Sequence, residues 1–256
     1  SAYVWKDGVL RLTPLSPAIN AGVTADWMAG ATDLLGKPRV MGSSVDIGAI
    51  EFDPNALAVD FSCDTYEAID EYNATLTAII NGDTTGLAVV WDLDGDGIYE
   101  TSGVSVEFRL DKPGQTTVSV KATNNGGEEA TCSHTFTVYP NTLYVVSQNP
   151  SAAAPYTNWK TAAATIADAI ALAGNGSAII VSNGTYAINS QILLTRAIDL
   201  RGLTGDFNDV IVDAQNKCRA LKVAAAGASV SGITFKRGME GSVSGAYVYG
   251  GSVSNC

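Results

Sequence analysis

The chain has little of what most catalytic and metal sites are built from. It holds one histidine, His134, and its four cysteines, Cys63, Cys132, Cys218 and Cys256, form no CxxC. Zinc sites and histidine-dependent triads are therefore poorly supplied. Charge is scarce as well: 16% of residues are charged, and 26 Asp and Glu face 15 Lys and Arg, a formal net charge of −11. That field repels phosphate backbones and offers anionic membranes nothing to hold, so no nucleic-acid partner is expected. No run nears the ~18–20 apolar residues of a membrane span, which argues against membrane insertion by a helix. The start, Ser1-Ala2-Tyr3-Val4-Trp5, has no basic stretch leading into an apolar one. The expectation is a soluble, leaderless chain or a piece of something longer.

What is present is apolar content and glycine. With 46% hydrophobic residues and 26 glycines in 256 residues, the chain should pack rather than stay disordered, and it is long enough for more than one domain. Three segments separate by pattern. Residues 1–52 read as short extended pieces and loops with no convincing helix, too poor in large apolar side chains to fold unaided.

Residues 53–140 switch to alternation broken by turn signals. Leu57, Val59, Phe61 and Cys63 share one face, as do Ala74, Leu76, Ala78 and Ile80. Further runs follow at Leu87–Trp91, Val104–Leu110, Val118–Ala122 and Cys132–Val138. Asn81-Gly82-Asp83, Asp94-Gly95-Asp96-Gly97, Pro113-Gly114 and Asn124-Asn125-Gly126-Gly127 punctuate them. Six strands of this kind predict an immunoglobulin-like β-sandwich with Trp91 at its centre.

Residues 141–256 open with a strand and one helix, predicted at about Thr161–Ala173 from Ile166, Ile170 and Ala173, with Asp168 on the polar side and Gly174 as its left-handed stop. Short apolar strands divided by Gly, Asn and Ser follow. Ile198, Leu221 and Tyr247 recur at 23 and 26 residues, and Ile211, Ile233 and Val253 at 22 and 20. Repeats of that length with tiny strands and no internal helix predict turns of a parallel β-helix, its first turn covered by the helix. The fold class is thus all-β, with parallel β-helix segments, one capping α-helix and a sandwich.

These stretches resemble known families. Val90-Trp91-Asp92-Leu93-Asp94-Gly95-Asp96-Gly97-Ile98-Tyr99-Glu100 and Gly114-Gln115-Thr116-Thr117-Val118-Ser119-Val120 are similar to the core and late strand of a polycystic-kidney-disease-type (PKD) domain. Tyr144-Val145-Val146, Thr157-Asn158-Trp159, Ile166–Ile170 and Val181–Tyr186 resemble the start of a bacterial pectin-lyase-like right-handed parallel β-helix. Ser16–Gly22 and Val45–Glu51 resemble the closing turns of the same kind of domain. The resemblance implies end-turns at 1–52, a PKD-like sandwich at 53–140, and a cap helix with first turns at 141–256. It further implies a secreted or bacterial cell-surface protein, in which such modules serve as spacers, adhesins or appendages of carbohydrate-active enzymes.

Candidate sites are few. Asp92, Asp94 and Asp96, then Glu100, alternate along a glycine-bearing loop and can gather oxygens around calcium, or can form a solvated acidic turn; position twelve is Gly103, so this is no EF-hand. Cys63 and Cys132 fall on inward faces and are expected to form a disulfide, whereas Cys218 and Cys256 are expected as buried free thiols. His134, beside Cys132 and Phe136, reads as a structural or rim residue with no obvious metal-ligand companions. Asp199 and Arg201 alternate on one strand, where a surface charge pair is the ordinary account. Tyr247 and Tyr249, with Trp5, Trp27 and Trp159, are the aromatics available to a glycan. The reading is a non-catalytic module, not an enzyme, that stacks with copies of itself or adjacent repeats through its β-helix ends. The alternative is a fragment of a polysaccharide-active enzyme or a glycan-binding module.

Overall fold

In the computed structural model, residues 3–6, 9–239 and 245–256 are described. They are nearly all β, with one α-helix among them. The chain divides into two compact units: 1–66 with 73–109 and 115–137, and 67–72 with 110–114 and 138–256.

In the first unit, all six runs that alternate in the sequence are strands. Ala58–Ser62 pairs antiparallel with Tyr72–Asn81, and Ser105–Leu110 completes their sheet. A second sheet contains, in spatial order, Glu129–Tyr139, Gly114–Thr123, Ala88–Asp92 and the two-residue Thr101–Ser102. Both sheets feed one core. Phe61 meets Trp91 edge-on at 5.1 Å between centroids, and Phe108 meets Phe136 at 4.9 Å. Trp91 is fully buried, and its indole N–H donates to Gly103 O at 2.8 Å, so the one polar atom of the ring is satisfied.

The segment expected to supply closing β-helix turns carries no parallel strand among its described residues. Tyr3–Lys6 pairs antiparallel with Val9–Leu12, and the loops that follow are organised by buried carboxylates. Asp46 accepts from Asn20 N and Phe52 N, both at 2.6 Å. Asp33 accepts from Leu35 N, Lys37 N and Glu51 N. Glu51 accepts from Asp46 N and is paired with Arg39. Burial, followed by the Asp46 charge, pushes the Glu51 carboxyl above its ordinary range despite the Asp46 N–H and Arg39. Polar ties of this kind replace the apolar surface that the segment lacks.

The second unit contains three parallel sheets that the chain visits in rotation. Thr142–Val145, Ala178–Val181, Asp199–Gly202, Ser229–Ser231 and Ser252–Ser254 form the first. Gly184–Ala187, Val210–Asp213 and Thr234–Lys236 form the second, and Ile192–Leu194, Leu221–Val223 and Ala246–Val248 the third. Registers align like with like: Leu143, Ile179, Leu200, Val230 and Val253 make one continuous row. The repeats expected from sequence have about the right length but mix faces. Ile198 precedes a strand of the first sheet, whereas Leu221 lies in the third and pairs with Ala246 rather than Tyr247. Unequal corner loops shift the spacing while the backbone ladder keeps the register.

The helix is shorter than its apolar pattern, Ile166–Leu172. Thr165 caps it, its Oγ1 accepting from Asp168 N at 3.1 Å, and Ile166 and Ala169 are buried with Leu143 and Ile179. Residues 161–164 instead place Ala163 in a parallel bridge with Val145. Gly174 is not in the left-handed region; a Cβ there would lie 2.4 Å from the Tyr139 ring, so close approach explains the glycine.

Candidate functional site

The acidic loop leaves strand Ala88–Asp92 with the buried Asp92 at its base. Gly95 N and Gly97 N donate to the two Asp92 oxygens at 2.7 and 2.9 Å. Asp94 Oδ1 accepts from Asp96 N at 3.2 Å, and Asp96 Oδ1 from Ile98 N at 2.7 Å. Gly95 and Gly97 have φ of +82° and +89°, and a Cβ on Gly95 would meet Thr117 O at 2.9 Å. These turns fold the loop so that one oxygen of each of Asp92, Asp94 and Asp96 lies within 4.8 Å of the others. Glu100, expected as a fourth ligand, is exposed and outside this group. The neighbouring Thr101 is drawn into register with Trp91, which takes the chain out of the loop. Three carboxylates in this arrangement are oxygen donors suited to a hard cation.

A second cluster was not anticipated. Asp60 Oδ1 lies 2.8 Å from His134 Nε2 and accepts from the Cys132 thiol at 3.3 Å, and Cys132 Sγ is 3.8 Å from the same imidazole nitrogen. Phe61 packs edge-on to the imidazole at 4.6 Å and Tyr66 tilts over it at 4.9 Å. Burial would raise the Asp60 carboxyl, yet its hydrogen bonds, led by that of His134, hold it below its ordinary value. Burial and the Asp60 charge push the Cys132 thiol up to about 12, so without a cation it stays protonated and unreactive. The Tyr66 hydroxyl is likewise raised, by burial and then by Cys63, with Asp60 and Cys132 adding to the effect.

This arrangement corrects the expected disulfide. Cys63 and Cys132 are both free. The strand stops at Ser62, and Cys63 turns to donate to Thr65 O at 3.1 Å instead of continuing the inward face. Cys218 and Cys256 are free as expected but not buried: Cys218 is half-buried and Cys256 exposed. Alternation assigns Asp60, between Val59 and Phe61, to the outer face, whereas it is 1% exposed. The one legible trace of the cluster is Cys132-x-His134, two ligand types on the same face of a strand.

In the second unit, Tyr247 and Tyr249 are 43% and 60% exposed, with ring centroids 5.3 Å apart. Arg219 lies over Tyr247 at 5.4 Å and Lys222 over Tyr249 at 5.7 Å. Trp27 and Trp159 are also exposed, Trp159 against Tyr144; the side chain of Trp5 lies outside the described residues. Asp199 and Arg201 form the surface pair expected, at 3.6 Å. Asp213 is held by Arg237 and Lys236, and Arg237, its partner at 2.8 Å through Nε, brings its carboxyl down to about 2. The chain matches no protein-family model and no curated protein sequence.

Proposed function

We propose that the chain is a non-catalytic structural module of a large repetitive secreted or cell-surface protein. In this reading a PKD-like sandwich is joined to turns of a pectin-lyase-like right-handed parallel β-helix, which stacks on copies of itself or adjacent repeats. One observation carries it: burial along the parallel rows ends at their last rung. Leu143, Ile179, Leu200 and Val230 are at most 1% exposed, but Val253 is only half-buried. In the third sheet Val223 is fully buried and its partner Val248 is 39% exposed. The apolar edges of Ser252–Ser254 and Ala246–Val248 are surfaces on which a further strand, of this protein or of another copy, can pair. Light scattering on the purified chain should show association that grows with concentration and is lost in Val253→Lys. A monodisperse monomer at the highest concentration reached would overturn self-stacking.

Calcium is the proposed structural cofactor, held by Asp92, Asp94 and Asp96. Its role is to stiffen the loop, since such oxygen sites leave little Lewis acidity for chemistry. Chelator should lower the melting temperature, and Asp94→Ala should abolish that difference; equal melting with calcium and with chelator would remove the ion. A second reading, glycan binding, is favoured by the adjacent exposed rings of Tyr247 and Tyr249. Retardation in gels of acidic polysaccharide that disappears in Tyr249→Ala would support it over the purely structural one.

A further inference from the structure

Three side chains from two strands converge on one point in the first unit: Asp60 from Ala58–Ser62, and Cys132 and His134 from Glu129–Tyr139. They are the three commonest kinds of ligand for a borderline divalent metal, and each points a different donor atom, O, S and N, at the others. The donor triangle has edges of 2.8, 3.3 and 3.8 Å. Around a tetrahedral zinc with bonds of about 2.0 Å to N and O and about 2.3 Å to S, the same edges are about 3.3, 3.5 and 3.5 Å. Every edge is therefore within about 0.5 Å of the ligated geometry, a shift that side-chain rotation supplies.

The surroundings fit the same conclusion. The side chains of Asp60 and His134 are 1% and 11% exposed, and Cys132 is 3% exposed. The Phe61 and Tyr66 rings fix the imidazole from two sides, so the ligand set is held before any ion arrives. Burying a carboxylate, a thiol and an imidazole together is costly, and the hydrogen bonds among them and from Phe61 N to Asp60 Oδ1 at 2.8 Å offset only part of that cost. A divalent cation offsets that cost and gives all three groups a common partner.

We infer that Asp60, Cys132 and His134 form a binding site for a zinc-class divalent transition metal, with one coordination position left for solvent. The set is distinct from the acidic loop: a thiolate and an imidazole select against calcium, and three carboxylates select for it. On binding, the sulfur–metal bond forms as the thiol proton leaves to solvent, so binding weakens as pH falls.

Cobalt(II) added to the reduced wild-type chain is the direct probe, because only a thiolate ligand gives a sulfur-to-cobalt charge-transfer band. The band should saturate at one equivalent, disappear when zinc is added, and be lost in Cys132→Ala. It should persist in Cys63→Ala and in Asp94→Ala, which leave the three ligands intact. His134→Gln, verified as folded by circular dichroism, should weaken cobalt binding at least tenfold. No band in the wild-type chain overturns the site whatever the variants do. A band lost in Cys63→Ala and kept in Cys132→Ala overturns it equally, and a band unchanged in folded His134→Gln removes the imidazole from it.

Discussion

In the antiparallel unit, rings from two sheets converge: Phe61 and Phe108 from one, Trp91 and Phe136 from the other. In the parallel unit, mid-sized aliphatic side chains from a single sheet stand in a row, Leu143 on Ile179 on Leu200 on Val230. The first core is convergent: the Phe61 ring alone meets Trp91, His134 and Phe136. The second is serial, so each residue depends chiefly on the rungs above and below. The first unit also encloses Asp60, Cys132 and His134 beside aromatic rings, whereas Tyr247 and Tyr249 of the second stand exposed.

Five substitutions would break or sharpen that contrast. The largest effect is expected for Trp91→Ala, which removes the largest fully buried side chain and its bond to Gly103 O. It should cost about 3–5 kcal/mol and abolish hydrogen-exchange protection across 58–137 as one block. Protection lost only near residue 91 would contradict a convergent core. Leu200→Ala should cost about 2–5 kcal/mol, with protection lost mainly in the neighbouring strands Ala178–Val181 and Ser229–Ser231. Val253→Ala, at the half-buried end of the same row, should cost clearly less in urea denaturation; equal costs would mean that the row has no open end.

A smaller effect belongs to the cap. Thr165→Ala removes the acceptor for Asp168 N and should cost about 1 kcal/mol, visible as faster exchange in Ile166–Leu172 alone. The last test is gated by pH. Arg237 and Lys236 lower the Asp213 carboxyl from 3.8 to about 2, so its contribution is complete above the unfolded value and is lost as pH falls through about 2. Asp213→Asn should therefore lower the melting temperature at neutral pH and flatten the acid limb of the melting profile below about pH 4. Parallel wild-type and variant profiles would show that the pair contributes nothing.

The elements were legible where one periodicity decided the outcome. Strands such as Ser105–Leu110 bury Val106 and Phe108 on one side between exposed neighbours, and alternation suffices to place them. The apolar face of Ile166–Leu172 likewise identifies the helix, although the expected start at Thr161 is too early, because 161–164 bond to the strand at Val145 instead of to each other. Face assignment in the parallel unit was not legible. Strands of three or four residues carry too few positions for the apolar pattern to say which of three sheets each one joins. Asp60 was missed for a related reason: its strand is buried on both faces from Val59 to Phe61, and alternation has no way to signal a carboxylate drawn inward by a histidine more than seventy residues away. The free state of Cys63 was hidden as well, since it depends on where the strand ends and not on which residues face in.

The row of aligned side chains in the parallel unit also bears on how such a chain can change over time. More residues separate Asp199 from Ser229 than separate Ala178 from Asp199, yet Ile179, Leu200 and Val230 still superpose. Corner lengths are thus free to drift while rung positions are not. A longer bend can be accommodated at the surface without displacing the interior row, as the two unequal intervals within this chain already show.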